Sequence, residues 1–206
     1  LRLIVITDQD LANPRSIVEI VADALAAGAR AIQLRSKTAS ARELQESGSE
    51  LLSLTRPASA LLFINDRLDV ALAIGADGVH LGQGDISPGQ IPAEIRARLD
   101  IGRSTHNRKQ AAHAVDEGAC YIGFGPVFET DSKDSPYSAR GLDQLREAVD
   151  ATSPLPVIAI GGVDASMAKK IHSTGAAGLA VISAVAANRR LCHQPGRDII
   201  VAEHRC

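Results

Sequence analysis

The chain has 206 residues, enough to bury one sizeable core but short for two ordinary domains. Its formal net charge is -2, its aromatic content is 2% and it has no tryptophan, so it offers neither a basic face for nucleic acid nor stacking platforms for single strands. No apolar stretch approaches the roughly 20 residues that cross a bilayer, and three cysteines without metal-ligand spacing, Cys120, Cys192 and Cys206, fit a reducing, cytoplasmic setting.

An apolar run at 2–7 reads as a strand rather than a secretion signal, and it ends at Thr7-Asp8. Ile17, Ile20, Val21, Ala24 and Leu25 then recur at three- and four-residue spacing, the pattern of a helix with one apolar face. A second strand, 31–35, carries Gln33, Arg35 and Lys37 at alternate positions, so their side chains share one face of an extended segment. Two cations and an amide on one face can clamp a diphosphate; the competing reading is a solvated charge pair at a strand end.

A third strand at 60–64 runs into Asn65-Asp66-Arg67, and a fourth at 78–81 into Gln83-Gly84-Asp85. If these strands are parallel neighbours, Asp66 and Asp85 leave the same end of the sheet and can hold one hard divalent cation. An Asp66–Arg67 salt bridge and a helix cap by Asp85 ahead of Ile86-Ser87-Pro88 compete with that reading. A fifth strand, 101–104, ends at Ser104-Thr105-His106-Asn107, and a sixth, 121–124, opens a long polar loop from Gly125 to Arg140. In that loop Thr130, Ser132 and Lys133 bring two hydroxyls and a cation suited to a phosphate.

Leu142, Leu145, Ala148 and Val149 mark another amphipathic helix before strands at 156–160 and 178–182. Gly161-Gly162 and Ser183 follow these last two strands, where barrels commonly hold a phosphate through backbone N–H groups. Asp8, Thr105 and Ser166 read as helix caps. His80, His113 and His172 read as structural or solvent-facing, His106 is retained as a participant, and Cys120 reads as a small buried hydrophobe.

Glycines recur at the helix-to-strand junctions Gly28-Ala29, Gly75-Ala76, Gly118-Ala119 and Gly175-Ala176. Eight short apolar strands alternating with helices point to a single-domain α/β fold, the (β/α)₈ TIM barrel, over 1–187, with catalytic groups at the carboxyl ends of the strands. An open doubly wound sheet is the rival, but Gly123-Phe124-Gly125-Pro126 lacks the GxGxxG spacing and Pro126 removes a phosphate-binding N–H.

Six stretches in this order resemble the thiamine phosphate synthase family: Gln33-Leu34-Arg35-Ser36-Lys37, Asn65-Asp66-Arg67, His80 to Asp85, Ser104-Thr105-His106, Gly123 to Phe128, and the closing Ala159 to Gly162 with Val181 to Ala184. The resemblance runs from Leu3 to about Ala186. It implies a (β/α)₈ barrel that joins a hydroxymethylpyrimidine diphosphate to a thiazole phosphate with release of pyrophosphate. By position, Asp66 and Asp85 would bind Mg²⁺, and Arg35, Lys37, Asn65 and Lys133 would hold the diphosphate. Gln33 and Ser104 would contact the pyrimidine; Thr130, Ser132, Gly162, Ile182 and Ser183 would hold the thiazole phosphate. The reacting groups would be served by Arg35, Lys37, Lys133 and Ser104, and no protein nucleophile is implied.

Two departures stand out. Phe128 to Lys133 reads FETDSK, closer to the related thiazole tautomerases than to the synthase pattern PTxTK, although Pro126 stands where a tautomerase carries a histidine. After Ala187, Pro195-Gly196 interrupts the place of a final helix, so 188–206 is read as a divergent tail. The expected partners are phosphorylated small molecules, with homo-oligomerisation left open; tautomerase and a non-catalytic phosphate-binding barrel are the alternatives.

Overall fold

A computed structural model describes residues 2–130 and 137–182 of the chain. Eight parallel strands, paired in chain order, close into a barrel: β1 (Leu3–Ile6), β2 (Ala31–Leu34), β3 (Leu61–Asn65), β4 (Gly78–Leu81), β5 (Asp100–Thr105), β6 (Tyr121–Phe124), β7 (Val157–Ile160) and β8 (Gly178–Val181). Val5 pairs with both Ile32 of β2 and Val181 of β8, which closes the ring. The expected strands are all present, with ends within a residue or two, and the open doubly wound alternative is excluded.

The connecting helices are α1 (Gln9–Ala12), α2 (Ile17–Ala26), α3 (Ala41–Thr55), α4 (Leu68–Ile74), α5 (Ala93–Arg96), α6 (Arg108–Asp116), α7 (Gly141–Thr152) and α8 (Ala168–His172). Their starts are chemically encoded. Ser16 and Ser40 each accept the backbone N–H of the glutamate three residues on, Glu19 or Glu43, whose carboxylate reaches back to the serine N–H. Both glutamate pKa values are pushed below the ordinary range by these hydrogen bonds, the backbone N–H of the serine first. The chain turns from α4 toward β4 through Gly75, at φ 67, a left-handed conformation that costs glycine little.

Along every strand, side chains alternate between the barrel interior and the helical shell. Ile4, Ile6, Ala31, Phe63, Tyr121, Ile158 and Ala180 fill the interior. Outward residues join two shell cores. One, including Val21, Leu51, Leu62, Val79 and Ile101, covers β1 to β5, and the other, including Ala114, Ile122, Leu145 and Ala159, covers β6 and β7. Cys120 is half-buried against the interior cluster rather than fully enclosed. No helix among the described residues is long and apolar enough to cross a membrane. Cys192, Cys206 and the expected boundary between 187 and 188 lie outside the described residues.

Two expected caps are corrected. Thr105 is buried and donates its hydroxyl to the Gly123 carbonyl at 3.1 Å, while Asn107 caps α6 by accepting the Gln110 N–H. Ser166 is itself held by Asp164, which accepts both its N–H and its hydroxyl. The pattern Ser/Thr/Asn/Asp at a junction identifies the group of residues that compete for a cap, and the local turn decides which one serves. Asp8 does cap α1, accepting the N–H groups of Asp10 and Leu11.

Candidate active site

The register of β3 and β4 places Asn65 beside His80, so the chain leaves both strands at the same end of the barrel. Asp66 then adopts φ 62, with its N–H donated to the His80 carbonyl at 2.8 Å. Asp85 turns back toward the barrel, its Oδ2 accepting the Gly82 N–H at 2.7 Å. The two carboxylates converge on Gly82: a Cβ there would lie 3.2 Å from Asp85 Oδ2 and 3.9 Å from Asp66 Oδ1. Arg67 directs its guanidinium to Asp69, and the cap of the turn at Pro88–Gln90 is Ser87 rather than Asp85.

Among the described residues no group of three or more His, Cys, Asp or Glu side chains is built to enclose a metal. Asp66 and Asp85 could offer two hard oxygen donors at an open rim. That set suits a cation that completes its shell with water and ligand phosphate, and it does not suit a closed structural site.

A basic wall stands on the β2 side. Gln33 faces inward and donates from Nε2 to Asn65 Oδ1 at 3.1 Å. Arg35 is half-buried, its backbone N–H bonded to Thr7 Oγ1 at 3.0 Å and its Nη1 3.3 Å from Asp8 Oδ2. Asp8 thus has a second role that a cap reading misses: one oxygen starts α1 and the other orients the guanidinium. The planar fork still has further N–H groups to offer an anion. A cavity of about 470 Å³ opens beside Asp8, Arg35, Ser36 and Lys37, with Lys37 exposed at its edge.

Across the mouth, a smaller cavity of about 60 Å³ is lined by Ser104, His106, Gly123, Pro126, Thr130 and Ile182, among others. His106 lies on its wall, with Nδ1 donating to the Gly125 carbonyl at 2.6 Å and the ring stacked on Tyr137 at 3.9 Å. Gly161 and Gly162 do more than expose N–H groups. They sit at φ 90 and 63, and a Cβ at Gly162 would come within 2.4 Å of the Glu129 carbonyl oxygen. The loop after β6 is seated on them through Val127 N–H to the Ile160 carbonyl and Phe128 N–H to the Gly161 carbonyl. Ser132, Lys133 and Ser183 lie outside the described residues.

Of the two readings of His80, structural or solvent-facing, the structure supports the first, with partners that sequence reasoning did not name: its Nδ1 is 3.0 Å from Tyr121 Oη and its Nε2 is 2.9 Å from Ser104 Oγ. The available signal was a pair of glycines inside apolar strands, Gly102 and Gly123. A glycine in a strand interior often marks the close approach of another group, and a Cβ at Gly102 would meet His80 Nδ1 at 2.6 Å and Tyr121 Cζ at 2.2 Å.

The chain is similar to known proteins in sequence and in fold. The family described as thiamine monophosphate synthase matches residues 3–185. A thiamine-phosphate synthase of Chlorobium phaeovibrioides is 46% identical over 188 residues, covering 89% of this chain and 85% of its own. That of Pyrococcus furiosus is 46% identical over 187 residues, covering 90% and 86%. The solved thiamine phosphate pyrophosphorylase from Pyrococcus furiosus superimposes with a TM-score of 0.82 at 43% identity, covering 93% of this chain and 90% of that one. An N-acetylmannosamine-6-phosphate 2-epimerase from Clostridium perfringens, at TM-score 0.67 and 18% identity, shares the fold alone. With a family match over nearly the whole barrel and relatives above 40% identity, the chain belongs to the thiamine monophosphate synthase family.

Proposed function

We propose that this barrel is a thiamine-phosphate synthase: a Mg²⁺-dependent transferase that joins 4-amino-2-methyl-5-hydroxymethylpyrimidine diphosphate to a thiazole phosphate. The observation that carries the reading is the convergence of the Asp66 and Asp85 carboxylates on Gly82, at the ends of β3 and β4, next to the β2 strand that leads into Arg35 and Lys37. Family membership supplies the substrate class. Asp66 and Asp85 would hold the Mg²⁺, which when bound neutralises charge on the departing diphosphate.

The protein's own residues do the remaining work. Arg35, oriented by Asp8, and Lys37 bind diphosphate oxygens, with Lys133 and Asn65 in the same role. Breaking the pyrimidine methylene C–O bond leaves its electron pair on the diphosphate, so these cations act where negative charge grows. The thiazole nitrogen lone pair then forms the new C–N bond, and no proton need pass to a side chain. Gln33 and Ser104 orient the pyrimidine. Thr130, Gly162 and Ile182, near the ends of β6, β7 and β8, receive the thiazole phosphate, with Ser132 and Ser183 in the same role.

The test is pyrophosphate release from the two substrates with and without Mg²⁺. Release that requires both substrates and the ion is expected. Its absence would sink the synthase reading, and thiazole isomerisation without release would establish a tautomerase instead.

A further inference from the structure

Tyr121, His80 and Ser104 form a single file from the barrel interior to its mouth. Tyr121 is 2% exposed, and burial, reinforced by the nearby Asp100 and Cys120, pushes its hydroxyl pKa up, so the phenol keeps its proton. A buried hydroxyl proton needs an acceptor. Among the described residues, the one hydrogen bond of the Tyr121 hydroxyl is to His80 Nδ1, at 3.0 Å. Nδ1 therefore accepts, which excludes both the Nδ1–H tautomer and the doubly protonated ring. The remaining ring proton sits on Nε2 and is donated to Ser104 Oγ at 2.9 Å.

Ser104 is left with its own hydroxyl proton and no acceptor for it among the described residues. The neighbouring wall belongs to the cavity shared with Gly123, Gly125, Ile160 and Ile182. Space for the file is built into the strands. Gly102 pairs with both His80 and Tyr121, and Gly123 would bring a Cβ within 3.2 Å of His80 Cε1.

We propose that His80 is a positioning residue: fixed by Tyr121 as the Nε2–H tautomer, it turns the Ser104 hydroxyl proton into the cavity, where it meets a hydrogen-bond acceptor of the ligand. On the reading that the ligand is an aminopyrimidine, the acceptor is a ring nitrogen, so the exocyclic amino group alone cannot satisfy Ser104. The relay selects the polarity of the ligand edge, a role distinct from charge stabilisation at the metal rim.

The experiment is ¹⁵N NMR of the full chain with labelled histidine, the His80 signals assigned by their loss in His80→Gln. In the wild type without substrate, a protonated Nε2 and an unprotonated Nδ1 are expected. Tyr121→Phe removes the donor to Nδ1, so both tautomers are populated. KM for the pyrimidine diphosphate then rises about two- to tenfold, the size of one lost hydrogen bond, with kcat little changed. A wild-type ring protonated at Nδ1 overturns the proposal, as does a Tyr121→Phe variant that keeps the Nε2–H tautomer and its KM. The wild-type tautomer is decisive even if the variant fails to fold. Because it is read without substrate, it separates failure of the relay from failure of the synthase reading.

Discussion

Asp66 combines a carboxylate proposed to hold the metal with a left-handed backbone, and the two demands can be separated by substitution. Asparagine and aspartate visit φ near +60° at little cost, whereas alanine there is strained by roughly 1–2 kcal/mol. Asp66→Asn is expected to lower Mg²⁺-dependent turnover by on the order of 10²-fold with an unchanged unfolding midpoint. Asp66→Ala should lose the same activity and also be less stable in urea; equal stability of the two variants would contradict the backbone argument. The closeness of Asp66 and Asp85 was legible in sequence because each lies just past a short apolar run, and those two runs pair as neighbouring strands. The partner of Arg35 was not, because Asp8 reads locally as a cap and its second oxygen meets Arg35 only after β1 and β2 pair.

Between residue and barrel, the loop from Gly82 to Ile86 is held from outside as well as from the mouth. Arg103 points into the shell and donates from Nη1 to the Gly82 carbonyl at 2.6 Å, with the Ile86 carbonyl at 3.4 Å. Gln83 reaches across to the Ser104 carbonyl at 2.6 Å. The Arg103 guanidinium is balanced by Glu117 at 3.6 Å, a buried pair too long for a hydrogen bond, which agrees with Arg103 Nε lacking one. Arg103→Met leaves Glu117 a buried charge without its arginine, and a loss of about 3 kcal/mol in urea unfolding is expected. Apparent Mg²⁺ affinity should weaken too, because the backbone that orients Asp85 loosens. A second prediction concerns α3. Glu43 has its pKa lowered by the Ser40 hydrogen bonds, so its stabilisation is present above the ordinary value of 4.5 and is lost as pH falls through the lowered folded value. The difference in urea midpoint between wild type and Glu43→Gln should therefore shrink toward zero on acidification. A constant difference would show that the charge does not matter. The strands were legible because buried parallel strands are short apolar runs with turn residues at their ends; which polar residue caps each helix was not, since Thr105, Asn107, Asp164 and Ser166 are equivalent until the turn forms.

For the whole barrel, closure limits what any one strand can do. Gly102 is paired on both sides, to His80 and to Tyr121, so β5 cannot shift outward without disturbing two ladders. A Cβ at that position, 2.2 Å from Tyr121 Cζ, is expected to cost about 1–3 kcal/mol in Gly102→Ala, measured by urea unfolding; a neutral result would mean the interior yields more easily than a closed ring should. This is also why the interior file stayed illegible in sequence. Periodicity reports which face of a strand is buried, but the meeting of His80, Tyr121 and Ser104 depends on the register of three strands. The shell by contrast is written in each helix separately, as Ile20, Val21, Ala24 and Leu25 show. The left-handed turn at Asp66 carries one more consequence, over the long history of a gene. The residues that fit that backbone cheaply are aspartate, asparagine and glycine, so the easiest drift at this position discards the carboxylate while leaving a sound fold. Proteases that clear misfolded chains would not act on such a variant, so on the proposed function only a requirement for the product would hold the acid in place.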